Sequence, residues 1–318
     1  MPKTKILKVL LHRGDHMYQS KNCDIDNIWK IRDFLVETYK TFPEKGNWLI
    51  DRFNFTFSAS RILNEVSAQE YCDRIKFWEK EGKIFAVVNT EGENRGEVFF
   101  QLRTFDLEEI LLEEMFEFTE SNLMIEKEGK HVVFLSINEH AANIIKMAEK
   151  RGYAKENWSE ITCKKNISER NEISLPEGYQ IKTATETTPE ARAICHAYAF
   201  GYIDRKDVVN RSIEAQKEMM NMRDYRPELD IQVVDKNGKV VAFANMWYDS
   251  DNKIGIVEPV GTHPEHRKLG LAKAAIYHGE NLISEMGATH VYVGSDQQFY
   301  KSIGFYEIET DYIYKLIK

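Results

Sequence analysis

The sequence is poor in chain breakers. Seven prolines and 17 glycines among 318 residues rule out a collagen-like or low-complexity architecture. Cysteine is scarce too. Cys23, Cys72, Cys163 and Cys195 contain no CxxC pair and match no zinc spacing, so they read as buried, reduced thiols of a cytoplasmic protein. No apolar run approaches the roughly 20 residues of a membrane span. The run from Ile6 to Leu11 is broken by Lys8 and is too short for the apolar core of a secretory leader. A basic excess is also missing. Lys and Arg number 43 against 51 Asp and Glu, a net charge of −8, and the parts before and after residue 168 are both acidic. This argues against a nucleic-acid-binding face and permits a cationic substrate. The nine histidines form no HExxH pair, and no catalytic metal is expected.

What is present is ordinary globular composition, 42% hydrophobic and 30% charged. The length predicts two domains. A polar stretch with Pro176 and Gly178 lacks helical periodicity and reads as a linker over 166–178. It separates a unit over 1–165 from one over 179–318. In the first unit, Ile28, Ile31, Leu35 and Tyr39 predict a helix from Asp24, its cap, to Lys40. A loop with Asn47-Trp48 follows, then a helix over 68–81. Strands are expected over 84–88, 97–102 and 132–137, helices over 107–121 and 140–153, and a closing strand. The second unit repeats this order. It predicts helices over 189–202, 208–222 and 271–286, the last stopped by Gly287. Strands fall at 231–235, 240–248 and 254–262, with Asn237-Gly238 as a hairpin turn between the first two. A short helix over 299–303 precedes the last strand. The segments 131–153 and 290–305 align as a diverged internal repeat. The fold class is α/β with mixed sheets.

Chemistry concentrates in the segment from Glu258 to Phe305. A strand ends at Val260-Gly261-Thr262. The loop Arg267-Lys268-Leu269-Gly270-Leu271-Ala272 then leads into a helix. The first turn of a helix has unpaired N–H groups and a partial positive charge, which together bind anions. Gly270 and Ala272 keep the approach open, and Arg267 and Lys268 add charge. Alone, such a loop is more often a solvated helix start. Pro259 changes the weighting, because it cannot donate a ladder hydrogen bond. Its strand must be an edge, bulged, or splayed from its neighbour. A splayed pair offers free backbone groups to an amide-rich ligand. A phosphate site beside such a slot describes coenzyme A.

The loop from Arg267 to Ala272, the strand VEPVGTHP and the closing YKSIGF occur in order at family-like spacing. On these motifs the second unit resembles the GNAT acetyltransferases, which move acetyl from acetyl-CoA to an amine. The resemblance implies that backbone groups of Val260, Gly261 and Thr262 hold the thioester carbonyl and pantetheine. It implies that Arg267, Lys268, Leu269, Gly270, Leu271 and Ala272 cradle the pyrophosphate, and that Tyr300 is the general acid for the leaving thiolate. The first unit looks like a second copy that has lost its site. It has no equivalent loop. It places Glu108, Glu109, Glu113 and Glu114 where phosphate would sit, and Ala148 opposite Tyr300. The chain therefore resembles two tandem GNAT-like domains, one degenerate.

Glu258 is the candidate base, two residues before Val260; it faces the same side if alternation holds and not if Pro259 bulges. A solvent-facing glutamate is the plainer alternative, and a water chain could replace it. His263 is a weaker base candidate with a structural role expected. His196, Tyr198, Phe200 and Tyr202 lie on a helix that borders the acceptor pocket in this family, although such a run more often marks core. Asp249, Asp251 and Asn252 are read as turn residues. The expected partner is a small-molecule or peptide amine, with neither nucleic acid nor membrane; the sequence does not give the oligomeric state. A non-catalytic acyl-CoA sensor or a scaffold is the rival reading.

Overall fold

A computed structural model describes residues 18–93 and 96–318. The run Ile6 to Leu11 lies outside them. The chain opens with β1 (Gln19–Asn22) and α1 (Ile28–Tyr39). Asp24 does not cap α1 directly. Its Oδ1 accepts the N–H groups of Asp26 and Asn27 and closes a turn just before the helix. Next comes α2 (Ile50–Phe55), which runs through a π turn (Thr56–Ser60) into α3 (Arg61–Leu63). The sequence hides this helix. Phe53, Phe55 and Phe57 alternate with period two, the pattern of a strand and not of a helix.

The helix expected over 68–81 is a correction. The Ser67–Glu70 capping box starts α4 at Ala68, but the helix ends at Cys72. Lys76–Lys80 instead form β2, which pairs with β1 and β3 (Lys83–Asn89). Ile75, Phe77 and Trp78 imitate a helical stripe with Cys72. Their aromatic side chains are better buried in a sheet, and pairing on both edges overrides local propensity. The unit continues with β4 (Glu97–Leu102), α5 (Glu109–Asn122), β5 (Ile125–Lys127), β6 (Lys130–Asn138), α6 (Ala142–Lys150) and β7 (Ala154–Asn166).

The second unit follows the expected order: β8 (Gln180–Thr183), α7 (Pro189–Ala199), α8 (Lys206–Met220), β9 (Asp230–Val234), β10 (Val240–Asp249) and β11 (Ile254–Thr262). Then come α9 (Leu271–Glu285), β12 (His290–Val293), α10 (Gln298–Ser302) and β13 (Tyr306–Ile317). The stretch between β7 and β8 has no regular structure but is tied down. The Asn171 N–H donates to Asn281 Oδ1 at 2.8 Å, and its amide donates to Glu280 Oε2. Asp249 accepts from the N–H groups of Asp251 and Asn252, so these are turn residues. All four cysteines are free and buried.

The units do not form two closed sheets. Thirteen strands among the described residues make one continuous mixed sheet, in the order β1-β2-β3-β4-β6-β13-β7-β12-β11-β10-β9-β8, with β5 beside β6. The last strand of the chain, β13, lies between β6 and β7, both from the first unit. In turn β7 extends the second unit's sheet by pairing with β12. Each unit's terminal strand thus serves the other's half. A mixed apolar cluster seals the same seam: Val36 and Ile50 pack with Met219, Tyr225, Trp247, Ile256 and Tyr292.

Candidate active site

The pairing of β11 with β12 is parallel and stops early. It runs from Ile254 opposite His290 to Ile256 opposite Tyr292. Beyond it, Val257 to Thr262 have no β12 partner. On the other edge β11 pairs with β10, and its register shifts so that Glu258 and Pro259 together oppose Asn245. Pro259 therefore marks both a bulge and a splay. The peptide between Glu258 and Pro259 is cis. The His263 N–H donates to Val241 of β10. Backbone alternation then turns the N–H and C=O of Thr262 and Val260 away from β10, into the gap. Regular parity between Glu258 and Val260 is broken by the bulge.

Gly261 has a packing reason of its own. A Cβ there would lie 2.4 Å from Phe243 Cζ and 2.9 Å from Ala199 Cβ. Phe243 is fully buried, with the Arg192 guanidinium 3.4 Å from its ring centroid, so it cannot yield freely. Gly261→Ala is expected to destabilise the fold by about 1–3 kcal/mol. The check is a lower urea midpoint at unchanged slope.

The loop after β11, read from the sequence as an anion cradle, leads into α9. Lys268 and Gly270 have φ of 63° and 76°, the left-handed turns that point successive N–H groups to one side. The first helical bond of α9 runs from the Ala274 N–H to the Gly270 carbonyl. The N–H groups of Leu271, Ala272 and Lys273 are left outward. Lys268, Leu269 and Gly270 are exposed, whereas Leu271 is buried and anchors the helix. Arg267 donates to the carbonyls of Ala199 (2.8 Å) and Thr262 (3.2 Å). This fixes the loop against α7 while leaving other guanidinium donors free.

Glu258 accepts a backbone hydrogen bond from Gly294, and its carbonyl accepts from Trp247 Nε1 at 2.8 Å. Burial raises its pKa to about 8, and the Asp51 charge adds to the rise. Tyr300 is buried, edge-on to Phe299 and Phe305. Burial, then the Glu258 charge, raise its pKa above that of an ordinary phenol. Its hydroxyl has no hydrogen-bond partner among the described residues. His263 is built into the loop. Its Nδ1 accepts the Glu265 N–H, its Nε2 lies 3.2 Å from Lys239 Nζ, and its ring packs on Tyr198. His263, Glu265 and His266 stand close enough to hold a cation. However, both ring nitrogens of His263 have these neighbours, and His266 Nδ1 faces the Tyr179 hydroxyl.

Glu258 opens into a cavity of about 790 Å³ at the seam of the two units. Its walls include Phe55, Ala59 and Leu63 from the first unit, Ala193 and His196 of α7, and Phe200 just past its end. Ser212, Ala215, Gln216 and Met219 of α8 also line it. The aromatic run on α7 thus divides. His196 and Phe200 face the cavity. Tyr198 turns to His263, and Tyr202 stands behind His196, its hydroxyl 2.7 Å from Nδ1. Burial and the Arg192 charge push the His196 pKa down to about 3, so the ring is neutral.

Residues 193–309 match the acetyltransferase (GNAT) family. That stretch contains the splayed strand, the loop from Arg267 to Ala272, Glu258 and Tyr300. It is a GNAT domain.

The architecture of the whole chain agrees. A tandem GNAT protein from the clavulanic acid biosynthesis pathway has a TM-score of 0.60 at 9% identity, covering 95% of this chain and 98% of its own. A GCN5-related N-acetyltransferase from Sphaerobacter thermophilus has a TM-score of 0.57 at 14% identity, with 94% and 95% covered. A GNAT-family acetyltransferase from Colwellia psychrerythraea has a TM-score of 0.51 at 10% identity, with 94% and 99% covered. No curated protein matches by sequence. At such identities the likeness is one of fold, and the fold is the tandem GNAT arrangement.

Outside the matched GNAT domain, the first unit has a comparable splay that is filled. The parallel pairing of β4 with β6 ends at Phe99 opposite Ser136. The Arg103 N–H turns to β3, so Leu102 points into the gap. There Asn47 takes both its backbone groups: Asn47 Nδ2 donates to the Leu102 carbonyl at 2.6 Å, and the Leu102 N–H donates to Asn47 Oδ1 at 2.7 Å. Glu108 and Glu109 stand at the N-terminus of α5, where their charges suit the helix and repel phosphate. Ala148 is fully buried on α6.

Sequence reasoning missed the first unit's share of the cavity: Asp51, Arg52, Phe55, Ala59 and Leu63. Their spacing fits one helical face, but the alternating phenylalanines mask it. It also missed Glu160 and Asp311, which reach the cavity through strand exchange. No local signal marks those two.

Proposed function

We propose that the chain is an acetyl-CoA-dependent N-acetyltransferase whose active site lies in the second unit, with the first unit a degenerate copy. The open edge of β11 beside the outward N–H groups of α9 carries this reading. It offers amide partners and an anion cradle along one line, which suits pantetheine and pyrophosphate. Val260, Gly261 and Thr262 would hold the first, and Arg267 to Ala272 the second. Asn47 blocks the same place in the first unit. The free, buried thiols support a cytoplasmic location.

The acceptor is a primary amine that attacks the thioester carbon directly in a ternary complex. The N–C bond forms, the C–S bond breaks, and coenzyme A leaves as thiolate. An amine of pKa about 10.4 is neutral in roughly one molecule in 2,500 at pH 7, a cost of about 4.6 kcal/mol. Glu258 takes the ammonium proton. Burial makes it a stronger base than an ordinary carboxylate, nearer to the amine it serves. The Val260 N–H faces the developing oxyanion. Tyr300 stays protonated at working pH and donates toward the thiolate.

Acetyl-CoA at 100 times its Kd is expected to stabilise the protein by about 2.7 kcal/mol, read by thermal denaturation. Absence of a shift overturns the reading. Tyr300→Phe is expected to slow single-turnover acetyl transfer about 10²-fold with acetyl-CoA affinity retained. Full activity in that variant removes Tyr300 from the mechanism.

A further inference from the structure

Resting on that functional reading, we propose that the first unit builds the acceptor site, and that Asp51 binds the ammonium of a primary amine carried on an apolar alkyl or aryl body. The cavity beside Glu258 lies between the units, and its charge is unbalanced. Among the described residues, its walls carry the carboxylates of Asp51, Glu91, Glu160, Glu258, Asp296 and Asp311 but a single arginine, Arg52. Arg52 is already engaged. Its Nε donates to Glu91 at 2.5 Å, and Nη1 and Nη2 donate to Glu160 at 2.8 and 3.1 Å. The guanidinium also stacks 4.4 Å from the Phe99 ring centroid. Asp51 makes no ion pair among the described residues and shares the cavity with Glu258. The missing counterion is a cation that the ligand brings.

A smaller chamber of about 100 Å³ shares Asp51, Arg52 and Asp311 with this cavity. In it Glu309 is 7% exposed, and its Oε2 has no hydrogen-bond partner. Oε1 accepts only the Gly46 N–H. Trp48 Nε1 in the same chamber is likewise without a partner, so its unpaired groups are one acceptor and one donor.

The cavity is also lined by apolar side chains. Phe55 and Leu63 of the first unit and Phe200 and Met219 of the second line the same cavity. The polar side chains among them are turned to internal partners: Ser212 Oγ lies 2.8 Å from the Tyr202 hydroxyl, and Gln216 Nε2 donates to Asp230. The helix that brings Asp51 here contains the π turn, an irregularity frequent at functional sites.

The probe is 2-phenylethylamine, titrated calorimetrically at pH 7.5 without acetyl-CoA. Phenylalanine, which adds only a carboxylate, is the comparison. The wild-type protein is expected to bind the amine at least tenfold more tightly than the amino acid. Asp51→Asn is expected to weaken amine binding at least tenfold, and Asp51→Glu to recover part of it. Equal binding of the two ligands, no binding of the amine, or an unaltered Asp51→Asn variant overturns the proposal. Should Asp51→Asn not fold, the wild-type comparison decides alone. Acetyl-CoA affinity is measured in parallel; its absence strikes the functional reading and leaves the amine titration standing.

Discussion

Glu258→Gln is expected to lower acetyl transfer by about 10²- to 10⁴-fold, the range for loss of a positioned general base, while acetyl-CoA still binds. Gln keeps the size of the side chain and can still accept from the Gly294 N–H, so the fold is retained. The decisive measurement is the pH profile. A base works only when deprotonated. With the Glu258 pKa raised to about 8, kcat/KM is expected to rise with pH through about 8 and then level. An ordinary glutamate would have levelled near 4.5. The groups facing Glu258 fix the sign. Asp51, with a pKa of about 6, is ionised before Glu258 titrates and holds its proton on. Arg52 pulls the other way but is shared between Glu91 and Glu160. Asp296, Asp311 and the Glu160 carboxylate add negative charge around the same cavity. In Glu258→Gln the inflection near 8 is expected to vanish. A variant that keeps both its rate and its inflection assigns the base elsewhere.

The largest expected effect on stability comes from ending the chain after Phe305. This removes β13, the strand between β6 and β7. Its loss leaves two inner edges of unpaired backbone groups in the middle of the sheet. It also exposes the first unit's core, to which Tyr314 and Leu316 belong. Burying side chains of that kind is worth about 1.5–3 kcal/mol each, and the lost ladder adds to this. The total is of the order of a domain's entire stability, about 5–15 kcal/mol. The truncated protein is therefore expected to lack a cooperative thermal transition and its near-ultraviolet circular dichroism. A shortened protein that melts cooperatively would show that β6 and β7 can pair directly. The exchange also predicts that both halves of the intact chain unfold together, because each holds a strand the other needs.

Local chemistry is what the sequence determined by itself. Gly270 before an apolar helix, Pro259 inside a strand and the Tyr300-x-x-x-Gly-Phe ending each act through neighbours a few residues away. The structure accordingly finds the bulge, the splay and the left-handed turn where those residues stand. Most of the second unit was legible for the same reason: alternation and helical spacing are short-range, and its strands and helices keep clean periods. The helix over 50–63 was not legible, because Phe53, Phe55 and Phe57 spell a strand. The extra turns of α4 were imagined, because Ile75 and Phe77 spell a helix before sheet pairing claims them. The tertiary structure alone decided which strand lies beside which. Hydrogen-bond pairing between residues 173 to 185 apart leaves no trace in local periodicity, so nothing in the sequence of β13 names β6 as its partner. The same long-range packing brings Asp51 and Arg52 to Glu258. It converts the count of two units, which length and linker gave, into one sheet with an acidic, apolar-walled cavity at the seam.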